Sequence, residues 1–506
     1  MSVILPLLIR GGMEVGLELL FTPTVLLTVA IGVAVGIVFG AIPGFSATMT
    51  IILFTPVTIG FDTTVALVFL VSAYGGAVYA GSIPAILINT PGAPGSVVTC
   101  WDGYELTKAG RATFALATSA IVSGLAGIIA AAVLLLVGPV LAGFALNFGP
   151  VELFLLAIFA LTIIPAAKGQ SLLKGLLGGA VGLLLATVGS DPQLARPRAI
   201  FGQSLLRSGV DFIVTLIGLF VFTEMLFLAA RGSIVKADAD PREGPDQIRE
   251  GIFAVINRPV DFLRGTAIGT FVGSLPGAGA DVANFVAYNE AKRWARTPAE
   301  FGTGVIEGII AADSSNNATQ GGALIPTLTV GIPGSGSTAA LLSAFAIHGL
   351  NPGPGLFQRA GPEVYAIIFS LFVGNALILI YGLGGARYFG KMSRIPIRFI
   401  IPAVVVLSVV GAFAVRNAHL DVLLMVAFGL VGVILVKMNY PMVSLVIGVI
   451  VGGFAERGFV QGWLIHNGGP IQFLTTSKVS MALVMLVALS LLVTAARGRD
   501  IGELTG

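Results

Sequence analysis

Charge is scarce in this chain. Asp, Glu, Lys and Arg make up 10% of its 506 residues and hydrophobic residues 56%, whereas soluble globular proteins carry about 25% charge. So little charge cannot cover a surface that faces water, and a lipid bilayer is the expected surrounding. The net charge of +3 is scattered, which leaves nucleic-acid binding without support. A single cysteine, Cys100, excludes an intrachain disulfide and a thiolate metal set. The only histidines are His348, His419 and His466; no HExxH pair and no GxxxxGKS/T phosphate loop occurs. The glycine-rich stretches lack the strand-to-helix setting of a dinucleotide fold. Enzyme chemistry and a bound cofactor are therefore not expected. The first residues contain Arg10, Glu14 and Glu18 but no small-residue cleavage site, so no cleaved signal peptide is expected.

Long apolar runs, by contrast, are abundant. Residues 19–61, 63–101 and 112–151 are free of charge, and each run exceeds the roughly 20 residues that cross a bilayer. Counting such runs gives about 11–14 spanning or re-entrant helical segments. Glycine, with 67 residues, is at about twice its average usage, which suits helices packed through small residues. An amphipathic start (1–23) precedes a first membrane portion (24–230). Residues 231–264, with six Lys or Arg and six Asp or Glu, read as a polar surface linker. A second membrane portion (265–456) follows, then a C-terminal loop and last helix (457–506). Trp101, Trp294 and Trp463 flank polar segments and read as interfacial anchors.

The apolar runs are broken in pairs. Gly40-Ala41-Ile42-Pro43-Gly44 matches Gly273-Ser274-Leu275-Pro276-Gly277, and Asn89-Thr90-Pro91-Gly92 resembles Gly331-Ile332-Pro333-Gly334. Each break follows an apolar stretch and leads into small and polar residues. Irregular backbone at membrane depth survives only where protein buries it or it lines a wet cavity. Interruptions at corresponding places in two halves point to a transporter's binding site. Charge placement suggests how the halves are oriented. In the first half Lys108 and Arg111 come after the second break; in the second, Lys292, Arg293 and Arg296 lie between the breaks. The positive-inside rule then sets the halves in opposite orientations. The expected fold is an all-α polytopic membrane protein, with two inverted-topology repeats whose broken helices or hairpins meet at mid-membrane.

A helix interrupted in the membrane exposes N–H groups at one new end and C=O groups at the other. The N-terminal end can hold an anion without a cationic side chain; the carbonyl end, helped by Asn and Ser oxygens, can hold a hard cation such as Na⁺. The breaks contain such donors and no Lys or Arg. The expected anion-binding residues are Pro43, Gly44, Ser46, Thr48, Asn89, Thr90 and Gly92 from the first half. The second half adds Asn316, Asn317, Pro333, Gly334, Ser335 and Ser337. A lone break of this kind is commonly a packing kink whose Ser, Thr and Asn satisfy freed carbonyls; four breaks paired across a repeat favour a site. Asp313, beside the Ser-Ser-Asn-Asn run, reads in four ways: a Na⁺ ligand with Asn316 and Gly277, a proton carrier, a hydrogen-bond hub, or a helix-end acid near the surface. Glu307, Asp281 and Glu152 pose the same question more weakly. His348 reads as a packing histidine.

At these residues the chain resembles the large membrane subunit of the tripartite tricarboxylate transporter family, TctA type. The resemblance covers nearly the whole chain. It is carried by GAIPGFSATMT (from Gly40), NTPGAPGSVVTCWDGYELTKAGRA (from Asn89), GSLPGAGA (from Gly273), FGTGVIEGIIAADSSNNATQGGALIPTLTVGIPGSG (from Phe301) and HGLNPGPGLF (from His348). It implies a multi-pass permease of the bacterial inner membrane that imports an organic carboxylate. The implied partners are a small membrane subunit of four-helix type and a periplasmic substrate-binding protein, with Na⁺ as coupling ion, or H⁺. Relatives usually carry Glu where this chain has Asp313. Two other readings stand beside this one: a passive carboxylate channel or facilitator, and an intramembrane enzyme or scaffold, for which no catalytic constellation is present.

Overall fold

Small residues and proline set the architecture of the computed structural model, which describes residues 4–168, 172–191, 196–231, 246–277, 279–389, 397–465 and 469–503. Apart from a two-stranded ribbon pairing Gly189–Ser190 with Pro197–Arg198, these residues are helical or loop. Eight helices are long and apolar enough to cross a membrane, and five shorter apolar helices accompany them. The helices fall into two compact units. Each unit takes helices from both membrane portions of the sequence.

The first unit holds residues 1–142, 224–275 and 279–411. Its helices begin with α1 (Ile4–Leu20), α2 (Pro23–Gly40), α3 (Ala47–Phe54), α4 (Thr63–Ala80), α5 (Ser82–Ile88), α6 (Val97–Lys108) and α7 (Ala112–Ala145). Pro23 opens α2 at a position where a missing N–H costs nothing. Glycines at every fourth residue, Gly32, Gly36 and Gly40, let α2 lie directly on α4: a methyl group on Gly32 would sit 2.7 Å from the Phe69 carbonyl oxygen. Such close approach through small residues is how membrane helices gain packing energy.

The second unit holds residues 143–223, 276–278 and 412–506. It contains α8 (Pro150–Lys168), α9 (Leu172–Ala186) and α10 (Phe212–Leu216), which runs through a π-helical turn (Ile217–Phe222) to α11 (Thr223–Arg231). The Thr223 hydroxyl donates to the carbonyls of Gly218 and Gly429 there. Arg198 clamps Glu456 with two hydrogen bonds of 2.6 and 3.1 Å, and Arg416 pairs with the fully buried Asp421.

From Glu224 of α11 the chain is back in the first unit, and it continues as α12 (Asp246–Ile256), α13 (Pro259–Gly273), α14 (Gly279–Trp294), α15 (Ile306–Val330), α16 (Gly336–Ile347), α17 (Leu356–Arg359) and α18 (Gly361–Gly385). Of the charged stretch 231–264, residues 232–245 lie outside the described residues, and most of the remainder is helical in α12 and α13. Proline again opens α13, and Gly265, Gly269 and Gly273 seat it on α15 as Gly32, Gly36 and Gly40 seat α2 on α4. Helix α15 is long but too polar to count among the eight spans. It is nonetheless buried along nearly its whole length, so its polar face meets protein and not lipid. The Asp313–Asn317 run is thus the middle of a continuous helix, not an interruption.

Candidate functional site

Two breaks in the first unit share one construction. Helix α5 ends at Asn89 in the left-handed conformation (φ 53°, ψ 32°), α15 at Gly331 (φ 80°, ψ 20°). Asn and Gly are the residues that take up this conformation most readily. In the first break the N–H groups of Asn89 and Thr90 both reach the Pro84 carbonyl; in the second, those of Gly331 and Ile332 both reach Pro326. Three residues on, Gly92 and Gly334 occupy equivalent seats. A methyl group on Gly92 would lie 2.7 Å from both the Gly40 oxygen and the Gly81 Cα; on Gly334 it would lie 2.7 Å from both the Gly273 oxygen and the Ala323 Cα. From Gly81 and Ala323 to Gly92 and Gly334, the matched residues keep one constant offset along the chain.

After the breaks, four helix N-termini come together. Ser46 caps α3, its hydroxyl accepting from the Met49 N–H. Ser335 caps α16 in a reciprocal box with Thr338, by hydrogen bonds of 2.9 and 3.2 Å. The first turns of α3 and α16 are joined by Thr48 and Ser337, whose hydroxyls lie 2.9 Å apart. Gly279 opens α14 at φ 58°, and a methyl group there would lie 3.2 Å from the Ser335 Cβ. A methyl group on Gly95, in the 3₁₀ turn that leads into α6, would lie 3.1 Å from the Ala280 Cβ of α14. Asn284 fixes that contact, its amide donating to the Gly95 carbonyl at 2.7 Å and to Asn316 Oδ1 at 3.1 Å. The Asn316 amide donates in turn to the Val78 carbonyl at 3.1 Å. No Lys or Arg occurs in residues 41–54, 89–100, 279–291 or 331–347. The first turns of the four helices thus adjoin one another, with Ser46 and Ser335 only partly buried and Asp281 as the acid among them.

Asp313 lies deep in the same unit, with no exposure to solvent. Its Oδ1 accepts from Ser82 at 2.9 Å and Thr99 at 2.6 Å, its Oδ2 from Ser119 at 2.5 Å. Three hydroxyls from α5, α6 and α7 therefore hold one carboxylate of α15. All these donors are oxygens, a set suited to a hard cation. Among the described residues, no cluster of three or more His, Cys, Asp or Glu could hold a metal ion.

Of the residues expected from sequence, Ser46, Thr48, Ser335 and Ser337 are brought together at the paired helix starts, with Asn316 tied in through Asn284. Gly92, Pro333 and Gly334 are buried in the turns that lead to them. Pro43 is buried, and Gly44 (φ 79°) packs against the carboxylate of Glu224. Asn89 is exposed as the α5 cap, and the Thr90 hydroxyl donates to the Ile88 carbonyl. Asn317 is fully buried, and neither its amide nitrogen nor its oxygen has a hydrogen-bond partner among the described residues. Gly277 belongs to the second unit, and Asn316 is engaged with Val78 and Asn284. Glu307 pairs with Arg258; Glu152 accepts from the Gly149 N–H and the Ser477 hydroxyl; Asp281 lies in the first turn of α14. His348 meets the Thr58 hydroxyl at 3.0 Å. Sequence reasoning missed Asn284, Ser82, Thr99 and Ser119 as site residues, although Thr99 lies within the run quoted from Asn89.

Residues 26–447 match the Tripartite tricarboxylate transporter TctA family. The chain is 34% identical over 483 residues to an "Uncharacterized 52.8 kDa protein in TAR-I ttuC' 3'region" of Agrobacterium vitis, covering 94% of this chain and 95% of that protein. It is 32% identical over 236 residues to an "Uncharacterized protein in TAR-II ttuC' 3'region" of the same organism, covering 46% of this chain and 97% of that one.

Proposed function

The chain belongs to the tripartite tricarboxylate transporter TctA family, whose members are transporters and not enzymes, and from that premise we propose that it is the large permease subunit of a tripartite secondary transporter. On this reading it imports an organic di- or tricarboxylate across the bacterial inner membrane. A periplasmic binding protein delivers the substrate, a small membrane subunit completes the complex, and an inward Na⁺ gradient drives accumulation. The observation that carries the proposal is the convergence of four helix N-termini in a region without Lys or Arg. Backbone N–H groups aimed at a carboxylate bind it without burying a cation in the bilayer. Asp313, the one fully buried acid of α15, supplies the negative charge that draws the coupling ion.

Opposite orientation of the two repeats is part of the proposal and has support in the first unit. The stretch between the breaks of the first half (Thr58, Thr63) hydrogen-bonds to His348, which follows the second break of the second half. The stretch between the breaks of the second half binds Asp102, which follows the second break of the first half: Gly302, Gly304 and Val305 each donate an N–H to its Oδ1 at 2.9 Å. Each inter-break loop thus lies with the post-break segment of the other half, as inversion requires. The Asp102 side carries Lys108, Arg111, Lys292, Arg293 and Arg296 and is assigned to the cytoplasm. The Thr58–His348 side then faces the binding protein. Proteoliposomes containing both membrane subunits test the proposal. With binding protein outside, carboxylates should accumulate above the outside concentration only under an inward Na⁺ gradient. Equilibration without accumulation would replace the symporter with a facilitator.

A further inference from the structure

Helices α4, α7, α15 and α18 form a closed ring within the first unit. Gln320 of α15 lies over Gly75 of α4, where a methyl group would come within 2.8 Å of its amide. Asp313 of α15 accepts from Ser119 of α7, and further along the same seam Gly321 packs on Ala130. On α18, Asn375 lies against Gly124 and Gly127 of α7, and Gly382 lies against Tyr79 of α4 and Ala120 of α7. The contacts form two levels. Asp313, Tyr79, Ala120 and Gly382 mark one; Gln320, Ser72, Gly127 and Asn375 mark the other, two turns or about 10 Å away on every helix.

All four helices bring buried polar atoms that no group among the described residues satisfies. These are the hydroxyls of Ser72, Tyr79 and Ser123, both amide atoms of Asn317, Gln320 Oε1 and Asn375 Oδ1. All six residues are at most 3% exposed. One such atom is tolerable in a native interior; a set shared by four adjoining helices calls for ordered water or a bound ion. Ser123 is one turn beyond Ser119 and Asn317 one turn beyond Asp313, so both lie on the α7–α15 seam about 6 Å above the carboxylate. The group is rich in neutral oxygens, has one carboxylate at its floor and includes no Lys or Arg. That donor set suits a small monovalent cation; a divalent ion would call for more carboxylates.

We propose that the interior of the α4–α7–α15–α18 ring is a Na⁺ site in which Asn317 Oδ1 and the Ser123 hydroxyl bind the ion, with Asp313 one turn below to balance its charge. The inference rests on the reading of this chain as a Na⁺-coupled permease and gives the coupling ion a location. Gln320 and Asn375, a turn further on, line its approach.

The test is thermal unfolding of the purified full chain in detergent, in NaCl, KCl and choline chloride at matched ionic strength. For wild type, Na⁺ should raise the melting temperature in a saturable manner, and K⁺ and choline should not. Asn317→Leu and the milder Ser123→Ala should each weaken apparent Na⁺ affinity at least tenfold, while Leu136→Ala, exposed on the outer side of α7, should keep it. Equal melting in NaCl and choline chloride for wild type, or undiminished Na⁺ protection in Ser123→Ala, would overturn the site. If wild type in the complete complex accumulates carboxylate on a proton gradient while Na⁺ gives no protection, the site falls and carboxylate transport stands.

Discussion

Alanine at Gly92 and at Gly334 should do equal damage, because the two glycines occupy the same seat in two copies of one device. In each seat the added methyl group would lie 2.7 Å from a carbonyl oxygen that ends the preceding glycine-striped helix, and 2.7 Å from a backbone Cα behind it. Both obstacles are backbone, so no side chain can swing aside. Overpacking of a filled interior costs about 1–3 kcal/mol, and 2 kcal/mol alone lowers the folded-to-unfolded ratio by roughly thirtyfold. Gly11→Ala and Gly384→Ala serve as controls with the opposite sign: nothing lies within 4 Å of a methyl group at either position. Both glycines are helical, so alanine should be neutral or stabilising by up to about 1 kcal/mol. The assay is thermal unfolding of the four purified variants in one detergent, with uptake measured in parallel. Near-native stability in either Gly92→Ala or Gly334→Ala would refute the shared construction, and a large loss in one alone would refute the equivalence.

Asp313→Ala should cost about 2–3 kcal/mol, because it strips three buried hydroxyls of their acceptor, although each can turn partly toward its own helix carbonyls. Asp313→Asn keeps one acceptor oxygen and should lose less stability yet abolish Na⁺-driven accumulation; full accumulation in Asp313→Asn would remove the acid from coupling. Asp102→Ala frees three N–H groups and the Tyr288 hydroxyl, which donates to it at 2.8 Å. Hydrogen exchange at Gly302, Gly304 and Val305 should then quicken by about tenfold or more, since even one lost hydrogen bond to a charged group is worth about 1.5–3 kcal/mol. Unchanged exchange would show that the loop is held by packing. Burial holds His348 below the ordinary histidine pKa of 6.5, against the opposing pull of Asp62. A depressed pKa means that the unfolded chain binds the proton more readily. The stability due to neutral His348 is therefore complete above about pH 6.5 and declines as pH falls through the unfolded and then the folded value. Melting curves from pH 8 to 5 should show this loss in wild type and less of it in His348→Gln.

What the sequence disclosed was what local chemistry dictates. Proline, glycine and asparagine mark the breaks because left-handed and extended conformations select those residue types one at a time, and the matched Pro84 and Pro326 lie in line with them. Ser46 and Ser335 stood out as polar residues after the breaks, and the fold shows that they cap α3 and α16. That Asn89 also caps α5 in the left-handed conformation emerges only from the fold. The hydroxyls around Asp313 come from three helices whose sequences give Ser82, Thr99 and Ser119 no distinguishing neighbour. Asn284 lies among small residues in α14, and its partner carbonyl at Gly95 is far away along the chain. Such pairings are decided by helix packing, for which residue order supplies no period.

The absence of cations from the four helix starts bears on how an anion is released. Each helix end acts as about half an elementary charge, and the Asp281 carboxylate in the first turn of α14 offsets part of the field that the four supply. In a low-dielectric site a lysine or arginine in the same place would bind more tightly, but it would have to remain buried and unpaired whenever the substrate left. Dipoles carry no such penalty, because their N–H groups are part of helices that persist with or without a ligand. A transporter must release what it binds, and a site made of helix ends would leave no unpaired buried cation behind when an anion departs.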